Sequence, residues 1–229
     1  DLIKSGCCDV VVAGGSECLT RYHLNGFNSL KILDSEPCRP FDATRNGLNL
    51  GEGAGFVVLE SEEHALNRGV APIGALDGYG NACDAFHQTA SSDDGEGAFL
   101  AMSKALNMSG LKPGDIDYVN AHGTATPNND ASESRAMIRL FGDKIPPVSS
   151  TKAFTGHTTS AAGSIEAVIC LLAIRHGFIP ANLNWKEPFD GGVVPDSEGH
   201  QGVRLDHVLC NSFGFGGNDS SLLISRYGK

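Results

Sequence analysis

The chain has 229 residues, with 17 Lys and Arg against 27 Asp and Glu, and its formal net charge of −10 leaves no basic excess to track nucleic-acid phosphates. With 41% hydrophobic and 19% charged residues, 29 glycines and 10 prolines, the composition is that of a folded domain with many close backbone approaches, not of a disordered chain. The longest apolar run, residues 167–174, is far too short to span a bilayer, and no basic-plus-apolar leader opens the chain, so the expectation is a cytoplasmic protein with no membrane contact.

Taken in order, residues 1–6 read as the last turn of a helix stopped by Gly6 and leading into a buried strand. With no initiator Met and no helix body before that turn, the chain is expected to be the later part of a longer protein. Short β-branched runs predict strands over residues 9–13, 55–60, 73–81, 117–120, 147–150, 208–211 and 221–225. Amphipathic or apolar periodicity predicts helices over residues 62–68, 95–109, 129–141 and 162–176. This alternation is the signature of an α/β fold. In the third helix Ala136, Ile138, Leu140 and Phe141 sit beside charged Glu133, Arg135 and Arg139, as suits a helix half covered by a sheet. The fourth is apolar on nearly every side and is expected to lie between layers. Residues 91–97 read as a solvated loop entering a helix, and residues 190–202 as an exposed loop. Seven cysteines without a C-x-x-C pair or zinc-like spacing read as reduced, mostly buried thiols with no metal.

Two histidines follow predicted strands directly: His122 in Asn120-Ala121-His122-Gly123-Thr124, and His157 at the end of Ser149-Ser150-Thr151-Lys152 through Gly156-His157. If those strands are parallel neighbours, both imidazoles leave the same sheet edge, where α/β folds form their crevice. Lys152 is expected to pair with Glu166 on the following helix, with orientation of the histidines a secondary role. Gly214, Gly216 and Gly217, interleaved with Phe213 and Phe215, let the main chain approach a ligand and aim N–H groups at developing negative charge. Neither this loop nor Gly51-Glu52-Gly53-Ala54-Gly55 has the Lys-Ser/Thr pair or the strand-to-helix setting of a nucleotide loop.

Six motifs in order give the chain an end-to-end resemblance to the β-ketoacyl-[acyl-carrier-protein] synthases. They are residues 10–17, Arg39-Pro40-Phe41-Asp42, residues 51–55, His122-Gly123-Thr124 through Thr126-Pro127, Ser150-Thr151-Lys152 through Gly156-His157, and Asn211 to Gly217. The resemblance implies an α/β thiolase-like fold of αβαβα layers. Residues 1–68 would close the N-terminal half and residues 69–229 would form the C-terminal half. It implies a decarboxylative Claisen condensation on acyl and malonyl groups carried by the phosphopantetheine arm of acyl carrier protein, with no cofactor, in fatty-acid or polyene/polyketide synthesis. His122 and His157 match the catalytic histidines, Lys152 the family lysine, and Glu166 and Asp130 its supporting carboxylates. Thr124 and Thr126 match the threonines that hold the arm. Phe215, with Phe213 and Gly214, matches the gate and oxyanion hole. The expected partner besides carrier protein is a second copy of the chain, with a heterodimer as the alternative.

None of the seven cysteines matches the family nucleophile, which stands on a helix ahead of the strand at residues 9–13. An isolated chain is therefore expected to be inactive in condensation. The alternative reading is a nucleophile-less subunit resembling chain-length factors. Departures fall at Asn128-Asn129-Asp130, where many relatives have Leu or Ala and then Gly, and at Asn218-Asp219, where Thr-Asn is frequent. Lys31, Arg45 and Lys112 are the candidates for a local basic patch that docks an acidic carrier.

Overall fold

The computed structural model describes residues 1–228. The chain opens on the anticipated helix end. Gly6 takes φ 71°, Cys7 N–H donates to the Leu2 carbonyl at 2.9 Å and Gly6 N–H to that of Ile3 at 3.0 Å, a Schellman pattern. Strand β1 (Val10–Glu17) then pairs antiparallel with β2 (Gly53–Glu60), from Val10 opposite Glu60 to Glu17 opposite Gly53. The strand expected to be buried is in fact half exposed. Val10, Val12, Phe56 and Val58 all point outward, and none of the described residues covers that face.

Helix α1 (Arg21–Ser29) was not predicted. Its Thr20 hydroxyl caps it by accepting from His23 N–H and its polar and apolar residues segregate at the helical period, but Asn25, Gly26 and Asn28 are poor helix formers, and this weak propensity hid it. Helix α2 (Glu62–Asn67) follows β2, capped by Ser61.

The main sheet has the order β3-β9-β8-β4-β5. Its strands are β3 (Gly74–Cys83), β4 (Tyr118–Asn120), β5 (Val148–Ser149), β8 (His207–Gly214) and β9 (Asn218–Arg226), while β6 (Phe178–Ile179) and β7 (His200–Gln201) pair separately. β4 is parallel to both β5 and β8, and the β8–β9 and β3–β9 pairs are antiparallel. Helices α3 (Glu96–Ser109) and α4 (Pro127–Phe141) cover one face, burying Met102, Leu106 and Met137 against Val119, Leu209 and Leu223. The short α5 (Lys152–Thr155) leads to α6 (Ala162–His176), which covers the other face with Ala167, Ala173 and Ile174 against Val208 and Ile224.

α6 also packs against β1 and β2, so it lies between two sheets as its all-round apolarity suggested, although Leu172 remains exposed. Glycine makes that approach feasible. A Cβ on Gly55 would stand 2.8 Å from the Ile165 nitrogen of α6; just before β2, one on Gly51 would stand 2.0 Å from the Thr155 carbonyl oxygen at the end of α5. The glycine run 51–55 thus serves packing.

Three further expectations change. In α4, Glu133 is buried and Ile138 exposed, the reverse of a charge-out, apolar-in reading. The segment 190–202 is not wholly an exposed loop: Val193 enters the core and Asp196 N–H donates to the Val148 carbonyl at 2.8 Å. Cysteines are also less buried than expected. Cys38, Cys170 and Cys210 are inside, whereas Cys7 and Cys18 flank the half-uncovered β1 and Cys83 ends the edge strand β3, all three exposed.

Candidate active site

β4 and β5 run side by side, Asn120 opposite Ser149, so the loops carrying His122 and His157 leave the same edge, as the sequence suggested. The two rings meet edge to face with centroids 5.3 Å apart. His122 is fixed through its own main chain. Its N–H and that of Gly123 each donate to the Glu133 carboxylate at 2.9 Å, and the Asn211 amide adds a contact at 3.2 Å. Burial pushes Glu133 up to about 7 even with these donors. Sequence reading placed Glu133 among the solvent-facing charges of α4; the available signal was its position three residues after Asp130, on the buried side of the same helix.

His157 is held by backbone alone. Its N–H donates to the Asn49 carbonyl at 2.7 Å and its carbonyl accepts from Gly51 N–H at 3.1 Å. Gly156, at φ 67°, makes the turn before it.

Lys152, 1% exposed, reaches three acceptors: Glu166 Oε1 at 2.5 Å, the His122 carbonyl at 2.6 Å and His122 Nδ1 at 3.2 Å. An ammonium only donates, so His122 Nδ1 accepts and its ring proton sits on Nε2. The same charge opposes protonation of both rings. Burial, then Lys152 and then His157 hold His122 well below the usual histidine value; burial and then Lys152 bring His157 down to about 3. Glu166 is pushed up by burial and pulled back by Lys152 and Ser212. Both imidazoles are expected to stay neutral down to about pH 5, read from side-chain ¹⁵N shifts that do not move between about pH 8 and pH 5. A titration step near the ordinary histidine value in either ring would contradict this electrostatic picture.

Asp130 ties the histidine loop to the segment at 39–42. It is fully buried and accepts from Phe41 N–H at 2.7 Å, Ala125 N–H at 3.2 Å and the Asn129 amide at 3.1 Å, while burial raises its carboxyl. The hydroxyls of Thr124 and Thr126 lie 2.9 Å apart, and Thr126 also caps α4. A cavity of about 630 Å³ opens in front of the histidines, walled by Thr124, Thr126, Phe213, Phe215 and Phe27 of α1. None of the described cysteines lines it.

The sequence matches the "Beta-ketoacyl synthase, N-terminal domain" over residues 1–65 and the "Beta-ketoacyl synthase, C-terminal domain" over residues 73–186. The chain belongs to the β-ketoacyl synthase family. It is 43% identical to the mitochondrial 3-oxoacyl-[acyl-carrier-protein] synthase of Arabidopsis thaliana, over 98% of this chain and 52% of that protein. It is 44% identical to 3-oxoacyl-[acyl-carrier-protein] synthase 2 of Rhizobium meliloti, over 99% and 56%. Among solved structures it superposes on the ishigamide ketosynthase/chain length factor with a TM-score of 0.93 at 36% identity, covering 99% of this chain and 56% of that one. The fold is that of the thiolase-like ketosynthases, and the chain spans about half the length of the relatives it matches.

Within this β-ketoacyl synthase site, β8 ends at Gly214 and the Gly-rich loop turns at Gly216 and Gly217, whose φ angles are 81° and 74°. A Cβ on Gly217 would stand 2.0 Å from Asp84 Oδ1. The Phe213 ring is buried 5.9 Å from that of His122, whereas Phe215 is exposed and stacks on Phe27 at 6.0 Å. Phe27 also stands edge-on to His157 at 6.5 Å; it lies on the helix that sequence reading missed. Asp219, at one departure from the family pattern, is buried near Asp84 and pushed up to about 7 by burial, by Asp84 and by Glu133.

One docking candidate is withdrawn. The Arg45 side chain is buried, its guanidinium 3.6 Å above the Phe189 ring and bonded to the Asp42 and Pro127 carbonyls, so it has no face to offer a carrier. Among the described residues no group of three His, Cys, Asp or Glu is placed to hold a metal, and no helix is long and apolar enough to cross a membrane.

Proposed function

We propose that the protein containing this chain is a β-ketoacyl-[acyl-carrier-protein] synthase, in which residues 1–68 close the N-terminal half and residues 69–229 form the C-terminal half. The observation that carries this reading is the pair of imidazoles, edge to face with each other, held against a buried Lys152–Glu166 pair, a setting in which burial and the lysine charge disfavour their protonation. The His122 Nε2–H donates to the malonyl thioester oxygen, with His157 as the second ring at that oxygen. As the carbon–carboxylate bond breaks, its electron pair moves into the thioester as an enolate whose oxygen charge these donors stabilise, and carbon dioxide leaves. The enolate carbon then attacks an acyl group held as a thioester on cysteine, and the cysteine sulfur departs as thiolate. None of the described cysteines lines the cavity, so that thiol is assigned to the part of the relatives' length this chain does not span. The Phe215 N–H serves the acyl oxyanion, and Thr124 and Thr126 the phosphopantetheine arm.

Carrier protein is the proposed partner. Lys31, exposed beside the cavity-lining Ile32, is the nearer candidate contact, and Lys112 the other. A cytoplasmic homodimer is the proposed state. The competing reading, a chain-length-factor-like subunit, has no chemical use for His122, Lys152 and His157 together. Incubating the full-length protein with malonyl and acyl carrier proteins is expected to release carbon dioxide and form a 3-ketoacyl product. No carbon dioxide above background would favour the partner-subunit reading.

A further inference from the structure

α4 does more than carry Asp130 and Glu133. One stripe of it reads the main chain of residues 91–94 in sequence. Asn128 accepts from Ser91 N–H at 2.9 Å and donates to the Ser91 carbonyl at 3.1 Å. Ser132 donates to the Ser92 carbonyl at 2.8 Å, Arg135 to that of Asp93, and Arg139 to that of Asp94 at 3.1 Å. The spacing 128, 132, 135, 139 is one residue per helical turn along a single face, matched to four successive carbonyls of a segment that turns at residues 93–94 into α3.

Only the first rung touches the cavity. Thr89, Ala90 and Ser91 form part of its wall, at the end marked by exposed Pro127 and Thr89, whereas His122 is deeply buried at the other end. On its far side the same loop is joined to the Gly-rich turn, where Gly216 N–H donates to the Gln88 carbonyl at 2.9 Å and Asp84 N–H to that of Gly217 at 3.3 Å. The wall at 89–91 thus hangs between Gln88 and Ser92, the latter held by Ser132 and by Asp84, which accepts from Ser92 N–H at 2.8 Å, and the Asn128 amide is the α4 group that grips the wall itself. A hydrocarbon side chain at 128 could make neither of its two bonds.

We propose that Asn128 is a positioning residue that latches the cavity mouth and thereby sets affinity for the long carrier-borne arm without taking part in the chemistry. This rests on the synthase reading above. A wall held in place beforehand spares the arm the entropy of ordering it, so the latch acts on binding of substrates long enough to cross the mouth. A short thioester that occupies only the His122 end does not cross it.

In the full-length protein, Asn128→Leu is expected to raise KM for malonyl carrier protein about five- to tenfold, with kcat within about twofold. KM for a malonyl thioester of N-acetylcysteamine is expected to stay put. Amide exchange at residues 88–92 should accelerate while the thermal midpoint holds, because Thr126 still caps the helix. Asn128→Asp keeps the acceptor for Ser91 N–H and is expected to recover part of both effects. Equal KM changes for the two substrates, or unchanged KM for the carrier-borne one, would overturn the proposal. If no malonyl thioester is turned over at all, the synthase reading fails. The latch is then judged on exchange alone, where an unaltered Ser91 amide in Asn128→Leu refutes it.

Discussion

Replacing His122 with alanine in the full-length protein is expected to slow carbon dioxide release from malonyl carrier protein about a hundred- to a thousandfold. The estimate follows from removal of a single fixed donor to a developing enolate oxygen in a site where burial amplifies each such bond. The fold should hardly notice, since the anchors of this loop are main-chain N–H groups on Glu133 and the His122 carbonyl on Lys152, all of which survive the substitution. His157→Ala is expected to cost a comparable factor, and the double variant far less than the product of the two, because donors to one oxygen act as a unit. Single-turnover release of labelled carbon dioxide is the measurement. A His122→Ala rate within about threefold of the parent would take this imidazole out of the decarboxylation step.

Lys152→Met tests the charge behind the histidines. It strands the Glu166 carboxylate, 3% exposed, and is expected to cost about 3–5 kcal/mol of stability near neutral pH. The penalty should depend on pH with a definite sign. Burial already raises Glu166, and without the ammonium it rises further above its unfolded-state value. The folded variant then binds a proton that the unfolded chain has released, so its stability falls as pH rises from about 4 towards 8. Urea unfolding at about pH 5 and about pH 8 reads the difference. Lys152→Met combined with Glu166→Leu should recover most of the loss, because no unpaired buried charge remains. A single variant as stable as the parent at the higher pH would show that the pair is not the support it is taken to be.

The two strand-then-histidine segments, the Lys152–Glu166 pairing and the whole span of α6 could be read from the sequence, because each announces itself locally: an apolar run followed by His, a lysine near a carboxylate on an unbroken apolar helix. Features set by distant parts of the chain could not. Glu133 resembled a surface charge until the loop bearing His122 and Gly123 was seen to bring two N–H groups onto it. Arg45 resembled a free cation until Phe189 and Asp130 were found around it. α1 was masked by its Asn and Gly residues despite the Thr20 cap, yet it supplies Phe27 to the cavity. Asn128 stood out only as a departure from a pattern, and its partner at Ser91 lies 37 residues away.

His157 is gripped by the carbonyl of Asn49 and the N–H of Gly51, groups that every amino acid but proline provides. Its placement is therefore written in spacing more than in side chains, apart from the glycines that allow the approach. The stretch from 49 runs straight into β2, which pairs residue for residue with β1, so a single inserted or deleted residue there would force a choice between keeping the strand register and keeping the imidazole in place. Selection on this part of the molecule should accordingly act on length as well as on the Asn49 amide, which holds Cys38 N–H and the Asp34 and Glu36 carbonyls: substitutions at 50 should pass more readily than those at 49, while loop-length variants should be purged.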